Sequence, residues 1–165
     1  MTYNLFDRGA LEAILGLRTR VLRPHFEGGE LARFPGDLDA STRHYAARDR
    51  GEDVIGCATL MWVNLPELVR EAFPGSSEQG WQLRGMAVDP RHQGEGVGGA
   101  LLDFIERDVL ALRQEGEPGE VLVWCNARAR ATGLYARFGM RELGERFIIE
   151  GIGPHVMMAR RLGRG

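Results

Sequence analysis

The sequence contains no lysine: all 21 basic residues among its 165 positions are arginines. A phosphate-binding P-loop needs the pattern Gly-Lys-Ser/Thr, so the absence of lysine excludes that class of nucleotide site. Charge of one sign is not in excess either, since 23 acidic residues leave a net charge of −2. Without a strong basic field, we expect neither nucleic acid nor an anionic membrane as a partner.

Cysteine is scarce, with only Cys57 and Cys125, and both lie inside apolar runs. Such a pair matches neither a zinc-ligand pattern nor a disulfide framework, so we expect no metal and two buried thiols. Long apolar runs are missing as well, because no segment approaches the ~18 residues of a membrane span. Residues 1–12 lack the basic start and apolar stretch of a secretion signal, which predicts a cytoplasmic protein.

The hydrophobic patterns predict one domain over residues 1–165 that mixes helices and strands. Apolar residues recur at helical spacing over 9–22 and from Val97 to Leu112. Shorter helices are predicted at 65–73 and 128–138, and a further one near 30–33 inside a loop rich in Gly, Asp and Pro. Alternating or β-rich runs predict strands at 42–48, 54–63, 81–88, 120–125, 146–149 and 156–161. This order predicts a mixed α/β fold of α+β-like type.

Glycine is abundant, at 23 residues, and four glycines fall within the six positions 94–99. They lie between a predicted strand and a strongly predicted helix. Glycines let a backbone turn tightly and approach a ligand closely, and the first N–H groups of a helix favour an anion. We therefore expect a phosphate group at this turn. Gly85, inside the predicted strand before it, indicates a bulge or a close approach.

Residues Gly94–Gly99 also satisfy the dinucleotide fingerprint G-x-G-x-x-G. Their context differs from that fingerprint, because five polar positions separate them from the strand that ends at Val88. The next predicted strand is followed by Asn126 instead of the acidic residue that binds a ribose. A dinucleotide-dependent oxidoreductase is therefore kept as a less favoured alternative, and coenzyme A is the third class of ligand that such a turn could bind.

Two segments resemble the GNAT family of N-acetyltransferases. The first is the run Met86-Ala87-Val88-Asp89-Pro90 followed by Gln93-Gly94-Glu95-Gly96-Val97-Gly98 and Ala100-Leu101-Leu102, which is similar to the family's strand, Gln/Arg-x-x-Gly-x-Gly/Ala loop and helix. The second is Ala131-Thr132-Gly133-Leu134-Tyr135, continuing to Gly139-Met140, which resembles Ala-x-x-Leu-Tyr-x-x-x-Gly-Phe with Met140 in place of Phe. Many members carry Asn where this sequence has Arg128, and an asparagine occurs two positions earlier at Asn126.

The resemblance implies a GNAT fold, with a central, mostly antiparallel mixed sheet flanked by helices. It also implies transfer of an acetyl group from acetyl-CoA to the amine of a small molecule or of a peptide or protein terminus, by direct attack. The residues implied for binding acetyl-CoA are Met86, Ala87, Val88, Gln93, Gly94, Glu95, Gly96, Val97, Gly98, Gly99, Asn126 and Tyr135. A homodimer is common in the family, so the resemblance also makes a homodimer one of the expected states.

Three residues are candidates for the chemistry. The resemblance makes Tyr135 the acid that protonates the sulfur of coenzyme A, whereas spacing alone would make it a core aromatic residue. His155, in the loop before the last predicted strand, and Glu78, before the strand at 81–88, are candidate bases. A structural turn histidine and a solvated loop carboxylate are the competing interpretations. The backbone N–H of Val88 is the implied donor to the carbonyl oxygen.

A non-catalytic domain that binds acyl-CoA is the second alternative, and retention of Tyr135 argues against it. The acceptor pocket is expected from segments 17–38 and 64–80 and from the last hairpin. Arginines at 18, 20, 23 and 33 lie in the first of these segments, which slightly favours an acidic acceptor. Arg84 on the predicted strand could bind such an acceptor or pair with a carboxylate of the protein.

Overall fold

The computed structural model describes residues 3–113 and 120–163. The helices are α1 (Leu11–Leu22), α2 (Glu67–Ala72), α3 (Val97–Ala111) and α4 (Thr132–Arg137). The strands are β1 (Tyr3–Gly9), β2 (Arg43–Asp49), β3 (Val54–Asn64), β4 (Gln79–Val88), β5 (Glu120–Arg128), β6 (Arg141–Ile149) and β7 (Gly153–Gly163). None of the helices in these described ranges is long and apolar enough to cross a membrane.

The strands form a seven-stranded sheet in the order β1-β2-β3-β4-β5-β7-β6. The β1–β2, β2–β3, β5–β7 and β6–β7 pairs are antiparallel. The β4–β5 pair is parallel and sets Trp81 opposite Val123 and Gln82 opposite Trp124. This mixed, mostly antiparallel sheet with flanking helices confirms the fold class expected from the sequence.

The described residues fall into two compact units. The first consists of the described residues up to Met61 and of Leu83–Ile105. Its core forms where the apolar stripe of α1 packs on small residues of the sheet. The buried residues of this core are Leu11, Ile14, Leu15, Leu17, Ala46, Cys57 and Ala87. The small side chains allow close packing here, since even a Cβ atom on Gly56 would lie 3.0 Å from Val97 Cγ1.

The second unit consists of Trp62–Gln82 and of the described residues from Glu106 onward. Its core brings α2 against strands β5, β6 and β7, through the buried residues Leu65, Val69, Leu122, Trp124, Leu143 and Ala159. Gly80 is required where β4 passes β5, because a Cβ atom there would lie only 2.8 Å from the backbone oxygen of Leu122. The residue marks a close backbone contact inside this unit.

Strand β6 forms one edge of the sheet. Of its nine residues, only Leu143 is buried and most are exposed. Four of the exposed positions carry charge, in the order Arg141, Glu142, Glu145 and Arg146. The strand also bends at Gly144, which has φ of +68° and lies where the pairing with β7 shifts register.

The short helix predicted near residues 30–33 is wrong. Its backbone groups are taken by side chains of α1 instead of by a helical turn: the Ala32 N–H donates to Thr19 Oγ1 at 2.8 Å, and the Ala32 carbonyl accepts from Arg18 at 3.1 Å. These bonds hold the loop in an irregular path against α1.

Other elements also differ from the sequence prediction. Strand β1 had no predicted counterpart, and β6 begins five residues before the predicted start at 146. The helix predicted over 128–138 is shorter, because β5 continues to Arg128 and a 3-10 turn over Ala129–Ala131 precedes α4. Its predicted end is confirmed, since Gly139 follows with φ of +91°, a conformation that suits glycine after a helix.

Candidate active site

The turn between β4 and α3 is shaped by two glycines with left-handed backbone. Gly94 has φ of +81° and Gly96 has φ of +82°, and side chains other than glycine rarely adopt these values. Residues 94–96 are exposed, and α3 starts at Val97. The Ala100 N–H donates to the Gly96 carbonyl at 3.0 Å, which marks the first turn of the helix. The predicted strand, glycine turn and helix are all present in this order.

The start of α3 is suited to hold an anion. The N–H groups of Val97, Gly98 and Gly99 have no carbonyl four residues earlier within the helix, and the helix dipole places partial positive charge there. A Cβ atom on Gly94 or Gly99 would meet no atom within 4 Å, so the space beside both residues is open. The side chain of Val97 is buried in the core, which leaves only its backbone for a ligand. A diphosphate fits this set of donors.

Exposed side chains of the turn itself also brace it. Gln93 donates its amide N–H to the carbonyl of Val88 at 3.1 Å and so ties the turn to the end of β4. The carboxylate of Glu95 lies 3.0 Å from Nδ1 of His92. Both side chains are thus engaged within the turn. This arrangement leaves Gln93 and Glu95 to interact with a ligand through their backbone.

Asp89 anchors the same turn from a buried position. Its carboxylate accepts hydrogen bonds from the side chain and backbone N–H of Arg91 and from the side chain of Arg20. These bonds, those from Arg91 foremost, hold the pKa of the carboxyl well below its usual range. The Asp89 N–H donates to the Ile55 carbonyl at 2.8 Å, which joins the turn to β3.

At the end of β4, backbone groups are better suited than side chains to contact a ligand. Ala87 is buried in the core of the first unit, and Met86 and Val88 are half-buried. The structure therefore gathers Met86 to Val88 and Gln93 to Gly99 on one continuous strand, turn and helix start. Tyr135, Asn126, His155 and Glu78 belong to the second unit.

Tyr135 lies on α4 and is buried, with 6% of its surface exposed. Burial raises the pKa of its phenol well above the ordinary value of about 10. The hydroxyl is therefore protonated throughout the neutral and mildly alkaline range. It can donate a proton to a group that becomes more basic during a reaction.

His155 is also buried and opens the body of β7, opposite Arg128 on β5. Its Nδ1 lies 2.8 Å from the Gly153 carbonyl, and its ring stacks on Phe147 at 6.0 Å between centroids. A carbonyl can only accept, so Nδ1 carries hydrogen and Nε2 of the neutral ring keeps its lone pair. That nitrogen has the chemistry of a general base.

The other two predicted residues of the second unit are at the surface. Asn126 is an exposed residue of β5 opposite Met157 on β7. Glu78 is exposed just before β4, and its backbone oxygen accepts from the Leu65 N–H at 2.8 Å. Nothing in these contacts distinguishes the Glu78 carboxylate from a solvated loop charge.

One feature of the first unit has no signal in the sequence pattern, an aromatic ring surrounded by arginines. The guanidinium groups of Arg18, Arg23 and Arg84 all lie against the ring of Phe34. Two of these arginines are in the segment in which the sequence predicts positive charge, and Arg84 is on β4. Phe34 and its neighbour Asp37 were missed because the loop that holds them has no helical or alternating pattern.

Comparisons with known proteins show which family shares this fold. Residues 40–142 match the family model described as "Acetyltransferase (GNAT) domain". The chain is 32% identical over 153 residues to the Bacillus subtilis (strain 168) protein named "Uncharacterized N-acetyltransferase YitI", and the alignment covers 93% of each chain.

Solved structures agree on the fold. Escherichia coli ElaA superposes with a TM-score of 0.66 at 20% identity, over 91% of this chain and 88% of that one. An aminoglycoside 6′-N-acetyltransferase complexed with coenzyme A gives a TM-score of 0.65 at 11% identity, over 98% and 99% of the two chains. The fold is thus that of the acyl-CoA N-acyltransferases. With the family match and the Bacillus relative, it follows that the chain belongs to the GNAT acetyltransferase family.

Proposed function

We propose that this protein transfers the acetyl group of acetyl-CoA to the amine of a small molecule or of a peptide terminus, in the cytoplasm. The observation that supports this most directly is the turn at Gly94–Gly96, which presents the first N–H groups of α3 to open space. Acetyl-CoA supplies an activated acyl group as a thioester, and its diphosphate is the anion that such a turn accommodates.

The remaining loop residues take the roles that the family resemblance implies. Met86 to Val88 pair their backbone with the pantetheine arm of coenzyme A, and the N–H of Val88 donates to the carbonyl oxygen as negative charge develops on it. Val97 contributes only through its backbone, because its side chain is in the core. A site for coenzyme A at this turn requires no metal.

In the proposed reaction, the amine nitrogen bonds to the acetyl carbon and the carbon–sulfur bond breaks. The amine loses one proton to a base and the departing sulfur gains one from Tyr135. His155 is the favoured base, since the Gly153 carbonyl fixes the hydrogen on Nδ1 and leaves Nε2 free to accept. Glu78 is a weaker candidate because of its exposure.

The first test is binding of acetyl-CoA by titration calorimetry, with NAD as the competing ligand. We expect micromolar affinity for acetyl-CoA and none for NAD. The variant Gly94→Ala should weaken binding about ten-fold or more, because an alanine strains the left-handed backbone that aims the N–H groups.

Gly75→Ala is the matched control. Gly75 has the same φ of +81°, and a Cβ atom there would also meet nothing within 4 Å, but it lies in the turn after α2. It should lose stability as Gly94→Ala does and keep its affinity for acetyl-CoA. Equal losses of affinity in both variants, or binding of NAD in place of acetyl-CoA, would remove the assignment of this turn.

A further inference from the structure

The loop between α1 and β2 holds Phe34 inside a cluster of three arginines, here called the Phe34 cluster. The guanidinium carbons of Arg18, Arg84 and Arg23 lie 4.4, 4.9 and 5.5 Å from the centre of the Phe34 ring. All four residues belong to the first unit. An aromatic face attracts a cation, but three cations around one ring also repel each other.

The positive charge of the Phe34 cluster is only partly neutralised. Arg18 is fully buried and forms an ion pair of 2.7 Å with Asp37. Arg23 and Arg84 form no ion pair within the stretches that the structure describes. Their hydrogen bonds go to uncharged acceptors, namely the Leu22 carbonyl, the Pro35 carbonyl and the Met61 sulfur. Among these described residues, three guanidinium groups and one carboxylate leave two positive charges in excess.

One donor inside the cluster is also unused. Nε of Arg18 is buried and makes no hydrogen bond in the described part of the chain, although the other two nitrogens of this side chain bond to Ala32, Asp37 and Thr59. An unsatisfied buried N–H is unfavourable, so this donor needs an explanation.

This donor lies beside β4. A Cβ atom on Gly85 would be 3.0 Å from Nε of Arg18 and 3.1 Å from the Phe34 ring, and Gly85 has φ of +62°. Glycine at this position keeps the strand clear of the cluster. Gly85 directly precedes Met86 to Val88, the segment proposed to hold the thioester arm of coenzyme A.

The pKa shifts of the two half-buried members, Arg84 and Arg23, agree with a site that lacks negative charge. Burial lowers the pKa of Arg84, and the neighbouring Arg18 and Arg23 lower it further, while Asp37 acts in the opposite direction. Burial also lowers the pKa of Arg23. An anion bound by these two side chains would offset the repulsion between them and part of the cost of their burial.

We propose that the Phe34 cluster binds the carboxylate of the acceptor, so that the acceptor is an amine that carries a carboxylate, of which a free amino acid is the simplest case. The site rests on the proposed function, because its location next to Met86–Val88 is what makes the bound molecule an acceptor. Arg23 and Arg84 form the anion site, and Phe34 holds both guanidinium groups in place. They are specificity residues and take no part in the transfer of protons.

The first experiment compares matched acceptors. Glycine, alanine, glutamate and the ω-amino acids are each assayed beside their amide or decarboxylated amine, with release of coenzyme A as the readout. We expect kcat/KM to be at least about ten-fold higher for the carboxylate of each productive pair, because a site built to bind a group rejects the analogue that lacks it.

Arg84→Gln and Arg23→Gln test the residues. Each should raise KM for the carboxylate acceptor about ten-fold or more, and leave the weaker turnover of the amide and the affinity for acetyl-CoA unchanged. Arg107→Gln, an exposed arginine of α3, is the control and should change none of these values. Arg18 is left intact since it is buried and paired with Asp37.

A second experiment reads the site without turnover. The NMR signals of the arginine side chains are followed while N-acetylglycine, N-acetylalanine and N-acetylglutamate are added, each against its neutral amide. Shifts of the Arg23 and Arg84 signals with the acids alone support the carboxylate site when the Arg23 shift is lost in Arg84→Gln and the Arg84 shift is lost in Arg23→Gln. This result supports the site even if acetyl-CoA fails to bind and the proposed function falls.

The opposite results overturn the proposal. One such result is an equal response to the acids and to the amides. The other is binding of the acids that persists in Arg84→Gln and Arg23→Gln. Acetyl-CoA-dependent turnover with a preference for neutral or cationic amines would overturn it too, while leaving the proposed acetyltransferase function in place.

Discussion

Tyr135 combines a buried phenol with a raised pKa, and both bear on the acid role that we propose for it. Because burial disfavours the phenolate, the hydroxyl stays protonated at every pH at which an amine acceptor is reactive. It can therefore act as an acid and cannot act as a base. Any limb of the pH–rate profile below pH 9 must come from another group, such as the acceptor amine.

We predict that Tyr135→Phe lowers kcat about 100-fold, within the range usual for loss of a general acid, and leaves the affinity for acetyl-CoA within about two-fold. Steady-state kinetics and calorimetry measure the two effects. Tyr45→Phe is the control, since Tyr45 is a fully buried tyrosine of β2 whose hydroxyl accepts from Arg43. Unchanged turnover in Tyr135→Phe would favour a domain that binds acyl-CoA without catalysis, or a different acid.

The two cysteines illustrate how burial removes reactivity. Cys57 lies in the core under α1 and Cys125 lies in β5, and both thiols are free. Burial raises the pKa of each to about 12, so the nucleophilic thiolate is nearly absent at neutral pH. Neither residue is a candidate for a covalent intermediate.

We predict that neither thiol reacts with a disulfide reagent such as DTNB in the folded protein at pH 8, and that both react after unfolding in urea. Absorbance of the released thiolate gives the count in each state. The folded pKa is above the unfolded one, so reactivity should rise on unfolding at constant pH. Rapid labelling of the folded protein would show that one of these sites opens to solvent.

Helices and strands place their glycines under different constraints. Gly80 on β4 is enclosed, since an added Cβ would lie 2.7 Å from Leu65 Cδ2 and 2.8 Å from the Leu122 oxygen. Backbone atoms cannot move aside as a side chain can. Gly16 in α1 is exposed and would meet nothing within 4 Å.

We therefore predict opposite effects on stability. Gly80→Ala should lower the free energy of unfolding by about 1–3 kcal/mol, as overpacking does in a tight core. Gly16→Ala should raise it by about 0.5–1 kcal/mol, because alanine is the better helix former and loses less entropy on folding. Urea denaturation of both variants checks this. A stabilised Gly80→Ala would show that β4 and β5 can separate at this point without cost.

Elements with a clear period were predicted well from the sequence, and elements shaped by long-range contacts were not. The spacing from Val97 to Leu112 located α3 to within one residue of its end at Ala111. Strand β6 was predicted too short because Gly144 interrupts its pattern with a left-handed residue. The helix near 30–33 failed because Thr19 and Arg18, distant in sequence, bind the Ala32 backbone.

At the scale of the whole molecule, the strand–turn–helix and the segment around Tyr135 carried enough information to predict both the sheet and the family. Backbone turns of this kind depend on glycines, which the sequence shows directly. The Phe34 cluster forms where an irregular loop contacts α1 and β4. The local sequence pattern does not predict such a contact. The geometry of the anion site that we propose therefore could not be predicted from the sequence.

The edge strand β6 has a consequence for the behaviour of the protein in concentrated solution. An open strand presents free N–H and C=O groups to which a second chain can add, and repeated addition leads to insoluble fibres. Arg141, Glu142, Glu145 and Arg146 would have to give up their hydration for a copy to pair there. Charge at this margin therefore acts as a barrier to polymer growth and helps the chain to remain dispersed where many such molecules are crowded together.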